Sequence, residues 1–473
     1  MRAASLVLIV LALAACGSSH KAVKTGTGAH PTLPGLSPPQ LTVLHGAEGT
    51  APGYLFVAEK GGKDKPSGPV IADDRGRIRW YHQVPAGLEA TDFRTQMYNG
   101  RPVLTWWQGT ISKTGVGVGE YKVYDASYAE LATVKAGNGL AGDLHEFQLT
   151  PRDTAFISIY KTVPRDLTGV GGPKDGYVYD SIVQEVAVKS GKVVFEWHSL
   201  DHVPLSESLQ ANQEPAQHAT KKRPLDYFHV NSIADAPGGR ILISGRNTSA
   251  LYLIDRDGHI VWRLGGKKSD FGPPAAVKFR FQHNARLHGN GTLSLFDNGA
   301  IPKVEPYTRP LVLGLDETNH TATIAKTFVH PTKISSPYEG NLQLLADGGA
   351  LVGWGGVPKV TEFTPDGKIR FELKLPYGDT YRGYRLPWHG DPGGKPTAAV
   401  AGATVYASWN GRMDVASWEV LAGDDPDHLA QVGGTDFAGL ETTLVLPTPP
   451  KAVAVRAIAA DGTVLGTSDT VEP

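Results

Sequence analysis

One short plan recurs along this chain, and the recurrence limits what it can fold into more than any composition value does. The fragments VIADDRGRIRWYHQV from Val70, VYDASYAELATVKAG from Val123, IVQEVAVKSGKVVFEWHSL from Ile182, LYLIDRDGHIVWRLGG from Leu251, LVLGLDETNHTATIAKTFV from Leu311 and VTEFTPDGKIRFELKL from Val360 each read as strand, turn, strand. Asp, Gly, Ser or Asn stands at each turn, where positive φ and side-chain capping are wanted. These six hairpins recur roughly every 50 to 65 residues, near the blade length of propeller repeats. A further strand precedes each hairpin, as in YLFVAEKGG at 54, RILISGRN at 240 and TLSLFDNG at 292, and before most of these comes another short segment. Four strands per unit, six times over, predicts an all-β chain with a six-bladed β-propeller across 41–395, whose closure shields the strand edges. The innermost strand of the first blade is expected either from Leu41 to Leu44 or from the far end of the ring.

From Pro396 the texture changes to alternating apolar residues and short turns, so 396–473 reads as a small β-sandwich of fibronectin type III character. At the other end, Arg2, the apolar run from Leu6 to Ala15 and then Cys16 read as an export signal over 1–15, too short to span a membrane. Leu13-Ala14-Ala15-Cys16 resembles the lipobox of bacterial lipoproteins, which predicts an exported chain lipid-anchored through Cys16 to the outer face of the cell membrane. Residues 16–40, rich in Ser, Gly, Thr and Pro, read as a flexible tether. Cys16 is the one cysteine, so no internal disulfide and no catalytic thiol is expected. With Lys+Arg 46 against Asp+Glu 47, the chain has no basic field for nucleic acid and identifies no protein partner.

In a propeller, equivalent positions of successive innermost strands converge on one axis. His145, His229 and His283 head three equivalent segments, DLHEFQL, DYFHVNSI and FQHNARL. Arg246 ends the strand after His229, and Asn231 lies two residues beyond that histidine on the same strand face. Three imidazoles, one guanidinium and one amide suit a tetrahedral oxyanion, with donors from Arg246 and a base or nucleophile from the imidazoles. Three histidines also suit zinc, but no HxH or HxxxH pair is present and the adjacent arginine would repel a cation, so neither a metal nor another cofactor is expected. Asp143 and Asp226 either orient the histidines that follow them or cap turns. Asp297 and Asn298 either line the channel or form a turn. His82, His202, His259, His320 and His330, in turns or at hairpin ends, read as structural.

The segments LDYFHVNSI, ILISGRNTSALYLID, IVWRLGG, FQHNA and TLSLFDNG, in this order, resemble the successive motifs of the arylsulfate sulfotransferase family, and the SWNG segment from Ser408 resembles the C-terminal part of some of its members. The resemblance implies a six-bladed propeller and a ping-pong transfer of a sulfuryl group from a phenolic sulfate ester to a phenol, independent of the nucleotide donor PAPS. It implies His283 as the nucleophile that carries a sulfohistidine. His229, Asn231 and Arg246 would hold the sulfate oxygens, and His145 would act as acid and base. Trp106, Trp107, Tyr160 and Trp354 either stack on the aryl ring or pack between blades. Two other readings stay open: an aryl sulfate hydrolase, and a non-catalytic propeller lipoprotein that binds a ligand or partner.

Overall fold

The computed structural model describes residues 30–61, 65–209, 216–272, 277–300 and 303–473; the expected signal segment and Cys16 lie outside them. The chain is built almost wholly from antiparallel sheets. Among the described residues, six sheets lie between residues 42 and 386. The first joins Asp379–Leu386, Tyr54–Lys60, Gly68–Ala72 and Ile78–Tyr81. The second runs Glu89–Tyr98, Arg101–Ile111, Gly117–Tyr124 and Glu130–Val134, and the third Asp143–Leu149, Thr154–Arg165, Gly176–Ala187 and Val193–His198. The fourth is Val230–Ala236, Arg240–Gly245, Ala250–Ile254 and Ile260–Gly265; the fifth is His283–Leu287, Thr292–Asp297, Arg309–Asp316 and Thr321–Thr327. The sixth orders Asn341–Leu344, Ala350–Gly353, Lys359–Phe363 and Ile369–Lys374, and Thr42–His45 adds a fifth strand at its outer edge.

All six expected hairpins are therefore the outer pairs of these sheets. Of the two origins expected for the first sheet's innermost strand, the far end of the chain supplies it, as Asp379–Leu386. Thr42–His45 instead pairs with Ile369–Lys374. The leading strands touch one another in sheet order, and that of the sixth touches that of the first, an arrangement consistent with a propeller.

The packing follows from strand geometry. Side chains alternate between the two faces of a strand, and both faces here are covered, so the strands read as continuous apolar runs. Leu55, Val57 and Val70 pack with Leu351, Val360 and Phe371 of the sixth sheet, while Phe56, Ala58 and Ile71 turn the other way, towards Phe93, Leu104 and Trp106 of the second. The same division places Trp107 with Phe147 and Ile157, Phe156 with Ile243 and Tyr252, Leu253 with Leu293 and Leu311, and Phe296 with Val352 and Phe363.

Two more sheets follow. One orders Thr397–Ala401, Thr404–Ser408 and Thr442–Val445; the other orders Ala430–Asp436, Val415–Gly423, Ala452–Ala459 and Val464–Thr467. They share a core of Val405, Ala407, Trp418, Val420, Val453 and Val455. This unit caps the outer edge of the first sheet. Asn410 of the SWNG segment exchanges two hydrogen bonds of 3.0 Å with the backbone of Tyr81, and Arg79 donates to Val415 O at 2.6 Å and lies 3.7 Å over the Phe437 ring. An open strand edge is thereby satisfied.

Residues 30–40 correct the expectation of a free tether. Thr32 N donates to Glu441 Oε2 at 2.8 Å and Ser37 N to Gln83 Oε1 at 2.8 Å. Leu33 and Leu36 pack against the cluster of Leu41 and Leu55. Pro, Gly and Thr in this stretch serve a docked, irregular path rather than a loose one.

Candidate active site

A local irregularity repeated in several sheets builds the site. Pairing of the leading strand with the next one slips between Thr91 and Arg94, Val230 and Ser232, and His283 and Arg286, and the third sheet pairs Phe147 and then Asp143, which leaves Leu144 to Glu146 outside the ladder. Such bulges re-aim side chains. Asp92, His229, Asn284 and Glu339 have φ of 53°, 57°, 51° and 60°, values that non-glycine residues rarely adopt and that cluster at functional positions.

Each of the three histidines is held by its Nδ1 edge. Nδ1 of His145 donates to Asp143 Oδ1, which also takes the His145 backbone N–H at 3.0 Å, while Gly117 N donates to Asp143 Oδ2 at 2.6 Å. Nδ1 of His229 donates to Asp226 Oδ2. Nδ1 of His283 donates to Asn298 Oδ1 at 2.7 Å, and Nε2 of His283 accepts from Glu339 N at 3.2 Å. Of the two roles open to Asp143 and Asp226, orienting the imidazole is the one observed, and Asn298 does the same for His283. Asp297 instead pairs with Arg309 at 2.6 Å.

The His145 and His229 rings meet edge to face at 4.8 Å. Tyr160 supports both, 5.5 Å from each ring, with its hydroxyl donating to Val230 O at 2.7 Å. Arg246 is tied to the same corner: its N–H donates to His229 O at 2.9 Å, Nη1 to Asn247 Oδ1 at 2.8 Å, and its guanidinium lies 5.1 Å over the Phe281 ring. His145, Asp226, His229, Arg246 and His283 line one cavity of ≈ 410 Å³ together with Lys60, Tyr338, Glu339, Asp379 and the 111–115 turn. That volume suits a small aromatic ligand.

Burial sets the protonation states. His283 is pushed well below its ordinary value of 6.5, chiefly by desolvation and then by the Arg246 guanidinium, against the hydrogen bond to Asn298. Burial also lowers His145, although Asp143 works the other way. Burial brings Arg246 down to about 10, with Asp226 and Tyr160 opposing, so it remains a cation at neutral pH. The cavity therefore joins a neutral imidazole, whose proton sits on Nδ1, to a charged guanidinium.

Asn231 stands behind this wall: Nδ2 donates to Gln282 O at 2.7 Å, which spaces the fourth and fifth sheets beside His283, and its buried Oδ1 accepts no hydrogen bond. Trp106 and Trp354 do not line the cavity. Both are 0% exposed. Trp106 packs 4.6 Å from Tyr124 between the first two sheets, and Trp354 donates to Thr361 Oγ1 at 2.9 Å beside Phe296. Inter-sheet packing has used these indoles, and Trp107 likewise lies in the next core with Tyr121.

Sequence reasoning missed two groups. Beneath the histidines, Glu146 accepts from Arg94 at 2.7 Å, Arg286 at 2.7 Å and Arg382 at 3.0 Å, and these arginines hold its carboxyl far below the usual range, overriding the effect of burial. Tyr381 and Arg382, from the closing strand, donate to the carbonyls of His145 and Asn231 at 3.0 to 3.2 Å. Beside His283, Lys60 bridges Glu339 and Asp379. A faint signal for Glu339 was present: Glu339-Gly340-Asn341 repeats the spacing to asparagine of His229-Val230-Asn231 ahead of its strand. Among the described residues, the one cluster with close-set metal-ligand atoms is Asp255, Asp257 and His259, at an exposed turn remote from the cavity.

Fold and cavity together define an all-β protein of repeated four-stranded sheets that bring three imidazoles and the Arg246 guanidinium to one cavity. The sequence model of the family described as Arylsulfotransferase (ASST) matches residues 94–375, which include all five candidate catalytic residues. The chain belongs to that family. Membership supports an aryl sulfotransferase function in general and implies aryl sulfates and phenols as small-molecule substrates. No curated protein matches the sequence. Solved structures similar to the chain include a protein of unknown function from Bacteroides caccae, with 15% identity over 71% of this chain and 100% of that one and a TM-score of 0.41. A protein of unknown function from Dyadobacter fermentans has 12% identity over 68% and 91%, with a TM-score of 0.38. A catalytically inactive virginiamycin B lyase from Staphylococcus aureus, solved with quinupristin, has 11% identity over 78% and 97%, with a TM-score of 0.34.

Proposed function

We propose that this chain is a PAPS-independent aryl sulfotransferase that moves a sulfuryl group from a phenolic sulfate ester to a phenol through a sulfohistidine at His283. The observation that carries this reading is the Nε2 lone pair of a neutral His283, fixed by Asn298 and sharing a cavity with the Arg246 cation; the 3.2 Å hydrogen bond that it accepts from Glu339 N is given up when sulfur is attacked. In the first half-reaction Nε2 attacks sulfur, the S–O(aryl) bond breaks, and the aryl oxide leaves with the electron pair. Arg246 and His229 stabilise the charge that develops on the sulfuryl oxygens, with Asn231 keeping the neighbouring strand in place. In the second, a phenol oxygen attacks sulfur, its proton passes to Nε2 of His145, and the S–N bond breaks, returning its electron pair to His283. Burial supports the basic role of His145, because it keeps the imidazole neutral while Asp143 occupies Nδ1. That His145 comes from the third sheet and His283 from the fifth fits in-line displacement, in which the aryl oxygen leaves on the side away from the nucleophile.

The scaffold in this reading is a six-bladed propeller over 41–395 followed by a sandwich over 396–473, exported and lipid-anchored through Cys16. The six-sheet order and the two-sheet core after residue 396 support the first two points; the lipobox resemblance supports the third. The test is intact-mass measurement after exposure to p-nitrophenyl sulfate: one sulfuryl adduct in the wild type and none in His283→Ala. An adduct that persists in the mutant assigns the nucleophile elsewhere, and p-nitrophenol release that is independent of any added phenol makes the chain a hydrolase.

A further inference from the structure

One part of the cavity carries charge that sulfuryl transfer does not itself explain. Lys60, from the first sheet, bridges the carboxylates of Glu339 and Asp379, with Lys60 Nζ 3.1 Å from Asp379 Oδ1. All three residues line the cavity. Glu339 is 8% exposed, and its Oε2 is buried without a hydrogen bond. With both carboxylates ionised the cluster has one excess negative charge, and it faces a site built for an anion.

Glu339 is not there by accident of a loop. Like His229 it stands two residues before an asparagine, and the two share a left-handed φ of 60° and 57°. The asparagines two residues on behave alike: Asn231 Nδ2 donates to Gln282 O at 2.7 Å, and Asn341 exchanges hydrogen bonds of 2.8 and 2.9 Å with the Gly383 peptide, each tying its strand to the next sheet. The same left-handed turn of backbone stands at His229 and at Glu339, and both residues line the cavity. Its backbone N–H already touches Nε2 of His283 at 3.2 Å, so its carboxyl stands within one residue's reach of the reacting atom.

We propose that Glu339 and Asp379, bridged by Lys60, form the second half of the oxyanion site and take up one proton when an aryl sulfate or aryl sulfonate binds, Glu339 then donating its carboxyl hydrogen to an oxygen on sulfur. The proton removes the repulsive charge and converts an orphaned acceptor into a donor, as a carboxylic acid kept neutral in an apolar site does. The groups that act on Glu339 are Lys60, Asp379 and Glu89, with Tyr338 and Tyr381 alongside. Burial and the Asp379 charge push its carboxyl up to about 7 against the pull of Lys60, and a bound anion acts in the same direction as Asp379. The proposal rests on the aryl sulfate reading of the cavity.

The test needs binding and no turnover. p-Toluenesulfonate, which has no ester bond to break, is titrated calorimetrically into the full chain in buffers of different ionisation enthalpy, from about pH 6 to 9. The wild type is expected to take up close to one proton per ligand above neutrality, with Kd rising about tenfold per pH unit there. In Glu339→Gln, a permanent donor, the uptake vanishes and Kd stays within about twofold across that range. In Asp379→Asn, the loss of the neighbouring charge moves the weakening to lower pH. Binding to the wild type with no proton uptake, or an unchanged pH limb in both variants, overturns the inference and leaves the sulfotransferase reading intact. A wild type that binds no aryl sulfonate, or an Arg246→Met chain that binds it as well as the wild type, overturns the anion-site reading and the inference with it.

Discussion

Asn298 presents its Oδ1 to Nδ1 of His283 at 2.7 Å, while its own amide nitrogen donates to the carbonyls of Ser336 and Glu339 at 3.2 and 3.0 Å. Because Nδ2 serves two acceptors, the amide cannot turn over, so the oxygen must face the imidazole and the imidazole proton must sit on Nδ1. Asn298 therefore decides which nitrogen of His283 carries the lone pair. In Asn298→Ala the p-nitrophenol burst should slow by roughly 10²-fold and stability should fall by about 1–3 kcal/mol from the orphaned carbonyls, read by stopped flow and urea melts. Asn298→Asp should instead favour the imidazolium and move the acid limb of the burst to higher pH. An unmoved limb would sink the tautomer argument.

The depressed pKa of His283 has a thermodynamic sign. The unfolded chain binds its proton near 6.5 and the folded chain only well below, so between those values the unfolded state holds more protons and stability rises with pH. The contribution is complete above about 6.5 and is lost as pH falls through the folded value. Raised carboxyls such as Glu59, Glu339 and Asp297 act with the opposite sign. The informative quantity is therefore the difference between wild type and His283→Gln in urea unfolding from about pH 7 to 5. The variant's advantage should grow as the medium becomes more acidic; a constant difference contradicts the burial account.

Arg246 has two separable effects. Arg246→Lys keeps a charge but loses the planar fork, and donor kcat/KM is expected to drop by about 10²- to 10³-fold. Arg246→Met also removes a charge that lowers His283. Its remaining activity should show an acid limb at higher pH than the wild type, which a pH profile of the burst reads directly.

For Trp106, stability and substrate affinity should part company. An indole packed between the first two sheets and absent from the cavity lining predicts a loss of about 3–5 kcal/mol in Trp106→Ala. KM for aryl donors in Trp106→Phe should be unchanged within about twofold. A KM that rises with donor ring size in Trp106→Phe would return the indole to the substrate site.

Glu146 and the buried carboxylate of Asp92 together face Arg94, Arg286 and Arg382, so Glu146→Gln leaves three guanidiniums with Asp92 alone under the histidines. The expected cost is about 3–5 kcal/mol, measured by chemical denaturation. Wild-type stability in that variant would mean that water reaches the network.

What could be read from sequence was whatever is local or repeated. The six hairpins announce themselves through turn residues and apolar runs, and the observed outer strand pairs match them. His145, His229 and His283 share a cavity because the repeat gave them equivalent stations, and Arg246 joins them from the end of the strand after His229. Long-range choices were silent. Nothing in Asp379–Leu386 says that it pairs with Tyr54–Lys60 rather than with its sequence neighbours. Lys60 and Asp379, cross-strand partners in the first sheet, meet Glu339 from the edge of the sixth without a motif, and Glu339 was hidden because its likeness to the histidine positions was recognisable only once those were aligned. Trp106 and Trp354 misled because an indole in an apolar strand carries no mark of which face is wet. Thr32 and Leu33 did so because a Pro- and Gly-rich path looks the same whether it is docked or loose.

The pairing of residues 54–60 with 379–386 also governs the order of events in the making of this protein. Until about residue 386 has been synthesised, the earliest sheet lacks a strand, its edge is open to any other extended chain, and the carbonyls of His145 and Asn231 have no Tyr381 or Arg382 beneath them. A prematurely terminated chain, even one with every imidazole of the cavity, is therefore an unlatched arc that proteases and other nascent chains can recognise. Only a chain that reaches residue 386 can both hide that edge and set the floor of the cavity, so completion of the cavity and shelter of the first sheet are conferred by the same late stretch of chain.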